Sequence, residues 1–322
     1  MGEHFSDRLT RAIQERGTPA IVGLDPVLES LPAALQPRDR RLASAVAAVE
    51  TFCRGVIDVV APLVPAVKIN AGFFEAFYGE GLSAYYRVVA YAHARGLLVI
   101  GDIKRGDIGS TAKLYARGHL DQPALDDVDP ASIPDAVTLA GYLGENAVRP
   151  FIDIARKLGK GLYVLVRPSD PGADEVHEFA GRVGTAHQPD GGQCPPYAFY
   201  RHMGDLVRHW GAGPDLIGEC GLSCVGAVVA PKDGASTAAL RAMMPRTPFL
   251  VPGYGAQGAR AESCRPCFRA DGTGAVVNAS RSVIYAFNDA QRVERHGADW
   301  QACVAAACRE FAGDVAGLMR PA

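Results

Sequence analysis

Leu97-Leu98-Val99-Ile100-Gly101-Asp102-Ile103-Lys104-Arg105-Gly106-Asp107-Ile108-Gly109 is the stretch on which the fold turns. Its apolar opening, Leu97–Ile100, has the length and composition of a buried strand. Side chains alternate faces along a strand, so Asp102 and Lys104 share one face and Ile103 takes the other. A strand buried on both faces has no packing use for two charges, because desolving them is costly unless they pair. They form either an internal ion pair or part of a site. At the C-terminal end of a strand, same-face charges look into the mouth of a barrel.

The same pattern recurs on both preceding strands. Lys68 interrupts the run Val67-Lys68-Ile69-Asn70, with Asn70 on its face, and Asp25 closes Gly23-Leu24-Asp25-Pro26. Three successive strands ending in polar groups at matching heights suggest a convergent site. Strands are predicted at Ala20–Asp25, Ala66–Asn70, Leu97–Lys104, Ala136–Ala140, Leu162–Ser169, Gly221–Ala230, Phe249–Pro252 and Ala275–Ser280. These runs are rich in Val, Ile and Leu, as parallel strands covered on both sides should be. Helical patterns fall between them at Arg41–Ala61, Ala71–Arg95, Ile108–Leu120, Glu145–Leu158, Ala198–His209 and Ala235–Met243, with a last one at Trp300–Leu318. A doubly wound sheet gives a similar alternation, but eight strands favour a closed (β/α)8 TIM barrel, one domain over residues 1–322. Two connections are long, Asp170–Pro196 and Gly253–Gly274. Both follow strands, which puts them on the face where barrel active sites lie.

Bulk properties narrow the classes of function. At 322 residues, 48% hydrophobic and 21% charged, the chain can bury a large core. A net charge of −2 gives no sign of nucleic-acid binding, so an anionic ligand has to be held by a local cluster of cations. The polar start, Met1–Thr10, does not read as a signal peptide, and no stretch reads as a membrane span. A cytoplasmic protein is expected. Eight scattered cysteines fit reduced thiols. Cys264-Arg265-Pro266-Cys267 has the spacing of half a zinc knuckle or a redox pair. Structural zinc wants four ligands, and nothing in the spacing singles out Cys220 and Cys224, or His187, to complete it, so plain thiols are the simpler reading.

The segment Asp102-Ile103-Lys104-Arg105-Gly106-Asp107-Ile108-Gly109-Ser110-Thr111 resembles the signature of orotidine 5′-phosphate decarboxylases. The other pieces follow in that family's order: G-L-D-P at 23–26, V-K-I-N at 67–70, R-P-S-D-P at 167–171, P-G-Y-G-A-Q-G at 252–258 and N-A-S-R-S at 278–282. Length and the fifth-strand motif are similar to the longer bacterial branch, where R-T-S-N-P is usual; Pro168 and Asp170 depart from it and leave Ser169 in place. The resemblance implies decarboxylation of orotidine 5′-phosphate to UMP and CO2, the last step of de novo pyrimidine nucleotide synthesis, without metal, flavin or thiamine. It implies Lys104 as proton donor to C6 of the pyrimidine, Asp102 against the departing carboxylate, and Lys68 bridging Asp102 and the ribose. Asp25 and Asn70 would serve the ribose side, Ser169 the ring, and Gln257 and Arg281 the phosphate, with Pro252 and Ser280 beside them. Asp107 and Thr111 would reach across a homodimer interface into the partner's site. Being four apart, they would share a helix face.

The chemistry explains the residue types. Loss of CO2 leaves a carbanion at C6 in the ring plane, where the π system cannot spread it. Much of the barrier must therefore be met electrostatically. A lysine cation stabilises that charge and then supplies the proton, and Asp102 and Asp107 favour its charged form. Two rivals share parts of the pattern. A magnesium-dependent sugar-phosphate decarboxylase or aldolase of similar barrel shape ends its second strand in a metal-binding glutamate, whereas Lys68 would repel the metal. A non-catalytic nucleotide-binding barrel should have lost one of Lys68, Asp102, Lys104 or Asp107, and all four are here. His93, His119, His202 and His209 read as surface or satisfied residues, and Glu75 and Glu80 as solvated. Phe73, Phe74, Phe77 and Tyr78 read as helix-to-barrel packing.

Overall fold

The computed structural model describes residues 2–122, 125–181, 197–255 and 260–320. Eight parallel strands close into a barrel: β1 (Ala20–Leu24), β2 (Ala66–Asn70), β3 (Leu98–Arg105), β4 (Ala136–Leu139), β5 (Gly161–Arg167), β6 (Val225–Val229), β7 (Phe249–Val251) and β8 (Ala275–Ala279). Each pairs with its sequence neighbour, and β8 closes on β1. This is the predicted TIM barrel, with strand limits shifted by a residue or two. The larger difference is at β6: Gly221 takes a left-handed turn (φ +76°), so the run from Gly221 joins the strand only at Val225.

The two-residue period of these strands builds the interior in layers. Ile21, Ala66, Ile100, Ala136, Tyr163, Val228, Leu250 and Val276, one from each strand, form an apolar plug. Two residues further along, the same faces carry Gly23, Lys68, Asp102, Thr138, Leu165, Pro252 and Asn278. The polar layer therefore follows from the register of the apolar one. Gly23 is obligatory there, because a Cβ would lie 2.0 Å from Ser280 Oγ.

A helix not anticipated from the sequence, Phe5–Arg16, closes the opposite end. Its apolar residues, Phe5, Leu9 and Ile13, recur every four positions and pack against the plug. Phe5 stands edge-on to Tyr163 (6.2 Å, 85°), and its ring occupies the space a side chain at Gly161 would need. The helix ends at Gly17, φ +66°. A mostly apolar cavity of about 230 Å³ lies beneath it.

The stretch 71–95 is not one helix. It breaks into Gly72–Glu75 and Tyr78–Ala94, and Tyr78, at φ +54°, is 76% exposed instead of packing inward. Phe74 is fully buried, and Phe73 and Phe77 pack at its side as expected. Cys264 and Cys267 sit in the core at 0% exposure as free thiols, and burial pushes the Cys264 thiol up to about 12. Of the long connection after β5, residues 182–196, including His187 and Cys194, lie outside the described residues; its ends pair as Ala180–Gly181 with Tyr197–Ala198. Among the described residues no helix is long and apolar enough to cross a membrane.

Candidate active site

A cavity of about 220 Å³ opens at the C-terminal ends of the strands. Asp102, 6% exposed near the end of β3, is the centre of its polar cluster. Lys68 Nζ donates to Asp102 Oδ2 at 2.6 Å, and Lys104 Nζ donates to Oδ1 at 2.6 Å. On its other side Lys68 faces Asp25 Oδ1 at 3.8 Å. That oxygen is buried and accepts no hydrogen bond from the described residues, while the Asp25 side chain as a whole is 19% exposed and lines the cavity.

The charges set one another's protonation. Burial works against an ionised Asp102, but the two ammonium groups outweigh it and hold its carboxyl well below the usual carboxylate range. Burial likewise works against a charged Lys68, and Asp102 with Asp25 overcomes it and raises the ammonium above its ordinary range. Lys68 is almost enclosed, whereas the Lys104 side chain is 48% exposed at the mouth, accessible to a ligand.

Simple alternation does not by itself deliver Lys104 to this position. Between Gly101 and Arg105 the pairing of β3 with β4 slips, so that Arg105 stands opposite Leu139 while Gly101 stands opposite Val137. Within this bulge Lys104 adopts φ +44°, a left-handed conformation costing a non-glycine residue on the order of 1–3 kcal/mol. Neighbours hold it there. Thr138 Oγ1 accepts the Lys104 backbone N–H at 3.0 Å and donates to Asp102 Oδ1 at 2.8 Å. Arg105 donates to the Ile103 carbonyl at 2.9 Å and forms an ion pair with Glu75, which is therefore a half-buried partner of β3 and not a solvated side chain.

The remaining walls suit a planar ring with a polar appendage. Leu165, Val228 and Leu250 make an apolar side, Pro168 and Ser169 follow β5, and Pro252 to Tyr254 follow β7. Asn278, Ser280 and Arg281 follow β8. Asn278 donates to Ser280 Oγ at 3.2 Å, and its own side-chain carbonyl oxygen is buried without a partner among the described residues. Tyr254 leans outward, its hydroxyl 2.8 Å from Asp314 and its ring 4.6 Å from that of Phe311 on the terminal helix Trp300–Ala316.

Of the residues named from the sequence, Asp25, Lys68, Asn70, Asp102, Lys104, Ser169, Pro252, Ser280 and Arg281 line this one cavity. Asn70 has its carbonyl committed to the Gly72 N–H at 3.1 Å. Gln257 lies outside the described residues. Asp107 and Thr111 do not line the cavity of their own chain. Nor do they share a helix: Asp107 precedes the helix Gly109–Leu120 and accepts the Ile108 N–H at 2.8 Å, while Thr111 lies exposed within it. Thr138 and Asn278 are site residues that the sequence reading does not name: Asn278 is a polar residue inside an apolar strand, the criterion that picks out Lys68, whereas a threonine is ordinary in a strand and gives no such signal. The histidines differ among themselves. His93 is satisfied by Ala131 O at 2.6 Å and Asp135 at 2.8 Å. His119 is buried with Nδ1 unpartnered among the described residues, and burial brings its pKa down to about 4.

Comparison with known proteins agrees with the barrel fold. The family model for the orotidine 5′-phosphate decarboxylase / HUMPS family matches residues 20–296. A Rhodopirellula baltica orotidine 5′-phosphate decarboxylase is 36% identical over 306 residues, covering 94% of this chain and 96% of the relative. One from Clostridium tetani is 32% identical, over 87% of this chain and 88% of its own. The structure of Leishmania donovani OMP decarboxylase superposes with a TM-score of 0.69 at 26% identity, covering 98% of each chain.

Proposed function

The chain belongs to the orotidine 5′-phosphate decarboxylase / HUMPS family, and from that premise we propose that it converts orotidine 5′-phosphate to UMP and CO2 with its own side chains as the whole catalytic apparatus. The observation that carries this reading over a magnesium-dependent relative is Lys68. A buried ammonium 2.6 Å from Asp102 and 3.8 Å from Asp25 occupies the centre of the carboxylate cluster with a positive charge, where a divalent cation would be repelled.

In this reading the pyrimidine lies against Leu165, Val228 and Leu250 with its carboxylate above Asp102. Two carboxylates in contact repel, and the repulsion eases as CO2 departs. The electron pair left on C6 meets the Lys104 ammonium, which stabilises it and then transfers a proton to that carbon. Lys68 keeps Asp102 ionised throughout and offers a hydrogen bond to the ribose, and the partly exposed Asp25 carboxylate takes a ribose hydroxyl. Ser169 contacts the ring. Arg281, with Gln257, binds the phosphate at the β7–β8 side, where barrels commonly hold phosphate. That remote binding energy is available to assemble the site.

The same reading makes the working form a cytoplasmic homodimer in which Asp107 and Thr111 serve the partner's cavity. Supporting it, the connections after β3 and β4 and the helix between them expose four large apolar side chains, Ile108, Leu114, Tyr142 and Leu143, of which Ile108 directly follows Asp107 in the chain. The test is the loss of orotidylate absorbance with purified protein, with and without EDTA. Turnover indifferent to EDTA is expected. Turnover abolished by EDTA would favour the metal-dependent chemistry, and none in either case would favour a nucleotide-binding barrel.

A further inference from the structure

Thr138 is not among the residues assigned a part above, yet it is the group that joins the anion to the strained lysine. It is 1% exposed, on the inward face of β4, and it lines the cavity. Its single hydroxyl has one proton to give. Asp102 is ionised and can only accept, and the Lys104 backbone N–H can only donate, so both hydrogen bonds have a fixed direction. The proton goes to Asp102 Oδ1 at 2.8 Å, and the oxygen receives Lys104 N–H at 3.0 Å. Asp102 Oδ1 is also the oxygen that the Lys104 ammonium reaches, at 2.6 Å. A closed ring therefore runs from the Lys104 backbone through Thr138 to Asp102 and back through the Lys104 side chain. Within the slipped pairing of β3 on β4, where the strand ladder no longer dictates position, this hydroxyl is what relates the two residues to each other.

We propose that Thr138 is a positioning residue for decarboxylation: it sets the placement of the Lys104 ammonium relative to the Asp102 carboxylate and acts on substrate only through them. This rests on the function proposed above. Valine has threonine's shape without its hydroxyl, and serine has the hydroxyl without the methyl group, so the pair separates hydrogen bonding from packing. With orotidylate as substrate, T138V should lower kcat by about 10- to 100-fold, the loss expected for hydrogen bonds to an ionised group, while KM, governed by ribose and phosphate contacts on other strands, stays within about threefold. T138S should keep kcat within about threefold of wild type. A merely structural threonine gives the opposite order, because serine opens a methyl-sized void and valine does not. Wild-type kcat in T138V, or a fall in T138S as deep as in T138V, overturns the inference. Should T138V fail to fold, judged by its thermal melting, T138A against T138S makes the same comparison, and equal rates in those two overturn it. Absence of orotidylate turnover in the wild type would instead defeat the proposed function.

Discussion

Replacing Asp102 by asparagine keeps the shape of the side chain and removes the anion that two lysines share. The stability cost follows from how differently the two lysines are placed. Lys104 is half exposed, so its bridge is screened and is worth no more than about 1 kcal/mol. Lys68 is enclosed, and in D102N it keeps only Asp25 at 3.8 Å. Removing one partner of a buried pair typically costs about 3–5 kcal/mol, and the open cavity mouth argues for the lower end, about 3 kcal/mol. The pH dependence has a definite sign. The Asp102 carboxyl is held below its unfolded value of about 3.9, so its contribution is complete above that pH and is lost as the pH falls through the folded value. Lys68 is raised above its unfolded value of about 10.4, so its contribution is complete below that pH and is lost only as the pH rises through the higher folded value. Urea unfolding of wild type and D102N between pH 5 and pH 8 should therefore give a flat difference of about 3 kcal/mol, narrowing once the pH drops below about 4. A variant as stable as wild type at pH 7, or a gap that persists unchanged into acid, would refute the view that Asp102 is an ionised partner anchoring a buried cation.

Lys104→Ala should abolish turnover while UMP, titrated by calorimetry, still binds; a wild-type rate would remove Lys104 from the chemistry. Arg281→Ala should raise KM for orotidylate by about 10- to 100-fold, the scale of a lost charge-assisted phosphate contact, and an unchanged KM would contradict its role. Phe5→Ala should cost about 3–5 kcal/mol in urea unfolding, because the ring fills the closed end of the barrel; a loss below about 1 kcal/mol would mean the helix is only loosely docked.

The barrel could be read from the sequence because parallel strands covered on both sides must be apolar, which makes Lys68 and Asp102 conspicuous. The same logic singled out Asp25, Lys68, Asn70, Asp102 and Lys104, while Ser169, Pro252, Ser280 and Arg281 came from the family resemblance; all nine line one cavity. It was blind where a polar residue is ordinary in a strand: a threonine at 138 arouses no suspicion, and only the folded barrel brings it against Asp102 and Lys104. The bulge in β3 has no composition signal either, since the left-handed residue is a lysine and not glycine. The opening helix escaped notice because Phe5, Leu9 and Ile13 are its main apolar contacts in an otherwise polar stretch, and their burial depends on a barrel floor far away in sequence. Asp107 and Thr111 came from the family resemblance, and their four-residue spacing does not put them on one helix face, because the helix begins at Gly109, after Asp107.

The floor laid down by one side chain from every strand, sealed beneath by Phe5, makes the molecule a cup and not a tube. Whatever enters above Lys104 has to leave by the same doorway, gas and nucleotide alike. A compound lodged at the rim therefore obstructs arrival and departure together and competes with substrate. One lodged under the opening helix is divided from the charged cluster by the full thickness of the floor.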